Sequence, residues 1–515
     1  MTNHALLGLT AAAAILLTAG GAAAGDWSQW CGSDGKNMVS AEKGLPETFV
    51  PGKKRADRTI DLSTAQGVKW GVKLGDALYS TPAVAEGKVF IGGVESQDGI
   101  FSCLDEASGR LRWQWRAPPR KVPQTMNGFS IGIGSIPAQM GVCSSPAVEQ
   151  GRVYFVSQRF EVLCLDAAGQ PPGPQAGQPR VIWKLDMFDA LGVFPCDACD
   201  GSPLVDGDVL YVSTSNGVDR NTFQDPAKER NRKVPAPNAP NLIALDKHSG
   251  TLLATDQTRI SDNLPHGQWS SPGLGRVGGR KLVFYGGGDG RCYALEALSA
   301  MPPNPVRLRT VWSCDCVPPE YKGTGRMDPV TYYCLGDRRV RGTLNKDDGH
   351  FVGLSEIIAT PVFLDGRVYV AIGRDPAHGR GRGALCCIDA AGSGDITSSG
   401  KLWSYQGVER TLSTVSVADG LLYLSDRGGR LHCLDAQTGK CCWVYDAHCE
   451  VWGSTLVADG KVYMPTAKGL SVLAAGKRMK VLSHINLGGR VLASPIVANG
   501  TLYVATTGGW LWAVK

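Results

Sequence analysis

The sequence lacks most of what would mark a membrane span, a haem attachment or a nucleic-acid binder. Beyond the first 24 residues no segment reaches about 18 uninterrupted apolar residues, so a soluble mature chain with no membrane span is expected. C-x-x-C-H does not occur, which argues against covalently attached c-type haem. Charged residues make up only 19% of the chain and the net charge is +6. The basic clusters KKRADR (53–58) and GDRRVRG (336–342) fall in Pro/Gly-rich stretches, not on a helical face, so nucleic acid is not an expected partner. No paired-carboxylate motif selects a hydrolase or lyase, and no second His sits at metal-ligand spacing from His266 or His378. Disorder is excluded in turn, because 43% of the residues are hydrophobic.

The first 24 residues hold no Lys, Arg, Asp or Glu. Their apolar run from Ala5 to Leu17 is short for a bilayer, and Ala22-Ala23-Ala24 precedes Gly25 as a small-residue cleavage site. Residues 1–24 therefore read as a secretory signal peptide, with the periplasm or extracellular space as the destination. The departure is an n-region whose only positive groups are the terminal amine and His4.

What the chain does have is glycine, 66 residues, and an internal repeat. Eight segments share one grammar: YSTPAVAEGKVFIGG from Tyr79, CSSPAVEQGRVYFVS from Cys143, DGSPLVDGDVLYVST from Asp200, WSSPGLGRVGGRKLVFYGG from Trp269, IATPVFLDGRVYVAIG from Ile358, LSTVSVADGLLYLSD from Leu412, WGSTLVADGKVYMPT from Trp452 and LASPIVANGTLYVAT from Leu492. A short strand meets an x-G turn, where glycine supplies positive φ, and a V-Y-V-like strand follows. A third strand ends in Asp, and a T-G or S-G turn leads to a fourth carrying Trp. Four antiparallel strands repeated radially make a β-propeller. The last unit stops at LWAVK without a fourth strand, while VKWGVKL (68–74) resembles the other fourth strands. The expected fold is thus all-β: an eight-bladed propeller of four-stranded antiparallel blades, closed by an N-terminal strand that completes the last blade. Residues 25–66 form a leader and 67–515 one propeller, with insertions at about 116–142, 220–240 and 317–356. Trp70, Trp113, Trp183, Trp312, Trp403 and Trp443 occupy equivalent fourth-strand positions, where an indole is expected to pack between blades.

LDAQTGKCCW (434–443) resembles the repeat of PQQ-type propellers, a superfamily that includes quinoprotein alcohol dehydrogenases and the scaffold lipoprotein of outer-membrane barrel assembly. DWSQWCGSDGKNMVSAEKGLPETF (26–49) looks like the leader of secreted PQQ-like repeat proteins of unassigned function, with Cys31 where Arg is usual. The resemblance covers nearly all of 26–515 and implies fold and export. In the dehydrogenases it also implies PQQ over the channel, a Trp floor, a loop-borne vicinal disulfide and Ca²⁺ held by Glu, Asn and Asp, the cation polarising the quinone. Here the vicinal pairs Cys386-Cys387 and Cys441-Cys442 fall in expected strands. Cys387 shares a column with Cys103, Cys164, Ala244, Ala294 and Cys433, a small packed position. No cofactor is therefore expected, and PQQ with calcium is the alternative.

Six cysteines do not follow the repeat: Cys31, Cys196, Cys199, Cys314, Cys316 and Cys334. They are candidates for disulfides, for a thiolate metal site, or for unpaired thiols. Trp269, Trp452, Gln268, Asn216, Asp219, Arg374, Asp375, His378 and His448 fall just before first strands or in top loops, as candidate ligand-binding residues at the channel mouth. The expected function is a non-catalytic, monomeric ring that binds a protein, an envelope macromolecule or a small ligand. The rival is a PQQ- and calcium-dependent alcohol or sugar dehydrogenase.

Overall fold

The structure is a computed structural model that describes residues 25–56, 60–122, 125–127, 129–130, 140–194, 196, 198–218, 234–264, 266–321, 355–374 and 381–515. Eight antiparallel four-stranded sheets follow one another along the chain, the first built from Ala83–Ala85, Lys88–Glu95, Asp98–Asp105 and Leu111–Ala117. The eighth takes its outer strand from Val68–Lys73, which pairs with Trp510–Val514 and places Trp70 opposite Ala513. The N-terminal strand thus closes the ring, and two sheet edges are consumed in doing so.

One row of opposed residues recurs across the blades, running from the second strand to the fourth. In blade six it is Tyr423, Cys433 and Trp443, and in blade two Tyr154, Cys164 and Trp183. The middle residue is small, and the flanking rings stand 6.1 Å apart in both blades. The indole then reaches the next blade. Trp70 donates its Nε1–H to the carbonyl of Glu106 at 2.9 Å, Trp113 to Ala167 at 3.2 Å and Trp183 to Lys247 at 3.0 Å. Trp312 donates to Ala390 at 2.9 Å, Trp403 to Ala436 at 3.3 Å and Trp443 to Gly476 at 2.8 Å. The ring of Trp403 lies on Gly439, where φ is +71° and a Cβ would stand 2.5 Å from the indole. The T-G turn therefore needs glycine twice over, for its backbone conformation and for the ring above it.

The Ser/Thr of each repeat's opening step forms a belt between blades. Ser145 N–H donates to Ser202 Oγ, and Ser202 N–H to Ser271 Oγ, both at 2.9 Å. Thr360 donates to Thr414 at 3.0 Å, Thr414 to Ser454 at 2.8 Å, Ser454 to Ser494 at 2.8 Å and Ser494 to Thr81 at 3.0 Å. All eight belt positions are 4% exposed or less. A hydroxyl at this step satisfies a backbone donor that the neighbouring blade would otherwise bury unpaired.

The leader is a hoop inside the ring. Gly25 accepts from Asn499 N in blade eight, Trp27 exchanges two bonds with Val84 in blade one, and Ser28 accepts from Val148 in blade two. Asp34 then accepts from Leu274 in blade four, Gly35 from Phe363 in blade five and Met38 from Val457 in blade seven. Between the last two, the Asn37 amide bonds both ways with Val417 of blade six, at 2.8 Å each. Val39–Ser40 finally add a parallel strand to Leu456–Ala458. The leader thus meets the turn after the innermost strand of blade eight and then the innermost strands of blades one, two, four, five, six and seven in ring order. Those strands have no inner neighbour within the blades, and the hoop supplies one. Trp27, Cys31, Lys36 and Met38 are all buried in it.

Candidate functional site

A four-stranded meander sends its first-to-second and third-to-fourth turns to one face. Its second-to-third loops and its exits to the next blade go to the other. The hoop lies toward the first-to-second turns: Asp26 accepts from Glu86 N at 3.0 Å and Glu42 from Gly500 N at 2.5 Å. All three insertions depart from the opposite face. Residues 116–142 leave blade one for blade two, 220–240 join the second and third strands of blade three, and 317–356 leave blade four for blade five. The described parts are anchored, and those of the first two touch one another. Arg120 binds Asp186 at 2.6 Å and Asp189 at 2.7 Å and covers the Phe188 ring at 4.5 Å. Asn127 of the first insertion donates to the Pro235 carbonyl of the second at 3.0 Å, and Met126 packs on Phe194 and Ala236. Tyr321 of the third donates to the Gly383 carbonyl at 3.1 Å, while Glu320 accepts from Gln406 at 2.8 Å.

The same face holds the described members of the channel-mouth set. Gln268 is fully buried, donating to the Gly286 carbonyl at 2.6 Å and accepting from Gly288 N at 2.7 Å. Asn216 is likewise buried, accepting from Phe194 N at 2.9 Å and donating to the Ala236 carbonyl at 3.0 Å and Ser261 Oγ at 3.1 Å. Trp269 donates to the carbonyls of Ala198 (2.9 Å) and Cys196 (3.2 Å) and meets the edge of His266 with centroids 4.7 Å apart. Arg374 is buried 3.8 Å from Glu356. His448 is exposed beside Asp446. Asp219, Asp375 and His378 lie outside the described residues.

Trp452 is the centre of a charged group that the repeat grammar did not single out. Arg490 lies over its ring at 6.0 Å and binds Glu450 at 2.5 Å, and Arg427 binds the same carboxylate at 3.2 Å. Arg490 and Glu450 come from loops before two successive first strands, so only ring geometry brings them together. The readable signal was their closeness in sequence to the repeat openings. In blade four, burial pushes the Asp289 carboxyl up to about 6, against hydrogen bonds from Tyr293 Oη at 2.6 Å and Arg291 N at 3.1 Å.

The irregular cysteines do not form one group among the described residues. Cys31 packs in the hoop cluster, Cys199 between blades two and three, and Cys314 with Cys316 between blades four and five. Cys199 accepts from Ser215 Oγ at 3.2 Å, and its thiol is pushed up to about 12 by burial. Cys334 lies outside the described residues. The vicinal pairs sit in strands: Cys386 faces blade four, Cys387 faces blade six, and Cys441-Cys442 begin an outermost strand. Among the described residues no three His, Cys, Asp or Glu side chains are placed to share a metal ion, and no helix is long and apolar enough to cross a membrane.

Residues 393–515 match the sequence family described as outer membrane protein assembly factor BamB. No curated relative matches the chain. Among solved structures, BamB from Moraxella catarrhalis is 15% identical with a TM-score of 0.50, over 87% of this chain and 97% of that one. A computationally designed protein, Ika8, superposes with a TM-score of 0.46 at 11% identity, over 86% of this chain and 97% of that one. The quinohemoprotein alcohol dehydrogenase from Comamonas testosteroni gives 0.42 at 14% identity, over 92% of this chain and 83% of that one. At 15% identity the likeness to BamB is one of fold.

Proposed function

We propose that this eight-bladed, PQQ-like propeller is an exported, non-catalytic binding module that engages a protein partner through its insertion-bearing face. The observation that carries the reading is the contact between insertions, Asn127 to Pro235, over the seam where Met126 packs on Phe194 and Ala236. Separate loops joined by such contacts make one broad surface, the usual way a propeller face is adapted for recognition. Two of the candidate polar side chains beneath it, Gln268 and Asn216, bond the loops that support that surface.

The rival reading is a PQQ- and calcium-dependent dehydrogenase. Its cofactor would need a loop-borne cysteine pair at the channel and a set of oxygen ligands for the cation. The described residues fit this poorly: both vicinal pairs are in strands and point into blade packing or outward. No chemical step is therefore derived through the quinone.

The test is direct. Full-length protein incubated with PQQ and Ca²⁺ is expected to show no stoichiometric quinone spectrum and no dye reduction with alcohols or sugars. Stoichiometric binding with turnover overturns the proposal. In parallel, cross-linking in an envelope extract should return one defined protein partner, and Met126→Asp should weaken that capture. An unchanged capture with Met126→Asp removes the insertion face from the proposal.

A further inference from the structure

The cysteines between blades four and five are fully buried and form a set of four. Cys292 and Cys314 stand directly opposite one another on the third and fourth strands of blade four. Cys316 follows the fourth strand, its backbone N–H held by the Gly290 carbonyl at 3.0 Å. Cys386 lies on the third strand of blade five and turns toward blade four. Its thiol donates to the Cys316 carbonyl at 3.6 Å, and the Cys316 thiol donates to the Cys314 carbonyl at 3.6 Å. All four are 1% exposed or less. The one-sided sequence view separates them, since Cys316 belongs to an irregular C-x-C and Cys386 to a strand.

We infer that Cys316 and Cys386 form an inter-blade disulfide that fixes the base of the 317–356 insertion. Cys386 is the member that reaches across the seam, its thiol standing 3.6 Å from the Cys316 carbonyl, and the two thiols also meet. In the folded seam the Cys316 thiol beside Cys386 holds the Cys386 thiol below its ordinary value. The competing Cys314–Cys316 link is disfavoured by chain geometry. Two residues of extended chain separate the Cα atoms by about 6.7 Å, at the far end of disulfide spans.

The oxidant is a small-molecule or protein disulfide. The Cys386 thiolate attacks one of its sulfurs, the S–S bond breaks, and one thiol leaves carrying a proton from the medium. The Cys316 thiolate then attacks the Cys386 sulfur of the mixed disulfide and expels the second thiol. Two protein thiols are oxidised, one disulfide is reduced to two thiols, and no further reagent is consumed. Because both sulfurs are buried, the exchange takes place while the blades assemble. The bond closes a loop of about 70 residues around the insertion.

The full chain is purified without reductant and, separately, unfolded, reduced and refolded in oxidised and reduced glutathione. Remaining thiols are blocked with N-ethylmaleimide in denaturant, and the digest is mapped by mass spectrometry. A peptide joining Cys316 to Cys386 is expected as the main cross-link, and Cys386→Ser should abolish it. The oxidised wild-type chain should melt roughly 4 °C above its reduced form, and the variant should lose that difference. Complete alkylation of both cysteines after refolding in glutathione overturns the proposal. A main link between Cys314 and Cys316, or between Cys292 and Cys314, overturns it as well. If Cys386→Ser does not fold, the wild-type peptide map decides alone.

Discussion

Replacing Ser454 with Ala tests whether the hydroxyl belt holds the blades together. Ser454 Oγ accepts the Thr414 N–H at 2.8 Å, and Ser454 is 2% exposed. Removing the oxygen leaves a buried backbone donor unsatisfied, at a cost of about 1–3 kcal/mol. Unfolding entropy scales with chain size, and for the roughly 490 residues of leader and ring it is about 1 kcal/mol/K. Ser454→Ala should therefore lower Tm by about 1–3 °C. Ser494→Ala removes the next acceptor, that of the Ser454 N–H, and should cost a similar amount. Each change orphans a different donor, but Ser454 and Ser494 are hydrogen-bonded neighbours, so the double variant should lose stability by an amount that departs from the sum by their coupling. Ser454→Thr keeps the oxygen, as Thr81, Thr360 and Thr414 do at the same step, and should retain most of the stability. Exposed Ser249→Ala is the control, expected within about 0.5 kcal/mol of wild type. Differential scanning calorimetry at one scan rate reads the wild type and all five variants. A double variant that melts with the Ser249 control would show that the belt adds no net stability, and the reasoning would fail.

Three further outcomes follow from the packing. Gly439 and Gly420 share a left-handed backbone, φ +71° and +74°, but only Gly439 lies under an indole. Gly420→Ala should cost about 1 kcal/mol of backbone strain, whereas Gly439→Ala should cost about 1–3 kcal/mol more, read as a difference in denaturant midpoint. Asp289 is held near 6 by burial, above its value in the unfolded chain, so the folded state binds its proton more tightly. Its contribution favours folding below about pH 4 and is lost as pH rises through 6, roughly 3 kcal/mol at most. The stability advantage of wild type over Asp289→Asn should shrink over that window, and pH-resolved denaturation would expose a flat difference. Finally, Trp27→Ala removes a 4%-exposed indole from the hoop and should cost about 3–5 kcal/mol, visible as earlier melting with the far-ultraviolet β signal retained at low temperature.

The repeat was legible because each of its elements answers a local requirement. The x-G turns need positive φ, the V-Y-V strands need one buried face, and the strand 68–74 had to find an edge, which proved to be Trp510–Val514. The Ser/Thr of the opening step was visible in all eight units, but its role was not, since its partner is the same step one blade away. The leader was recognised as a unit, yet nothing in 25–40 alone shows that it circles the ring. Its contacts run from Val84 to Asn499. Position in the repeat brings residues to the channel mouth, but it cannot tell a free amide from one committed to backbone. Gln268 and Asn216 turn inward to loops, while Trp452 gains Arg490 and Glu450 from neighbouring units.

By itself the sequence determined the blade: its strands, its turns and the number of its copies. These depend on φ preference and period-two hydrophobicity over a few residues, which the chain states wherever it is cut. The tertiary structure decided what lies between blades and across the ring: the belt, the hoop, the joined insertions and the meeting of Cys316 with Cys386. Those contacts join residues tens to hundreds of positions apart. Their partners are chosen by the ring's closure and packing, which no local pattern encodes.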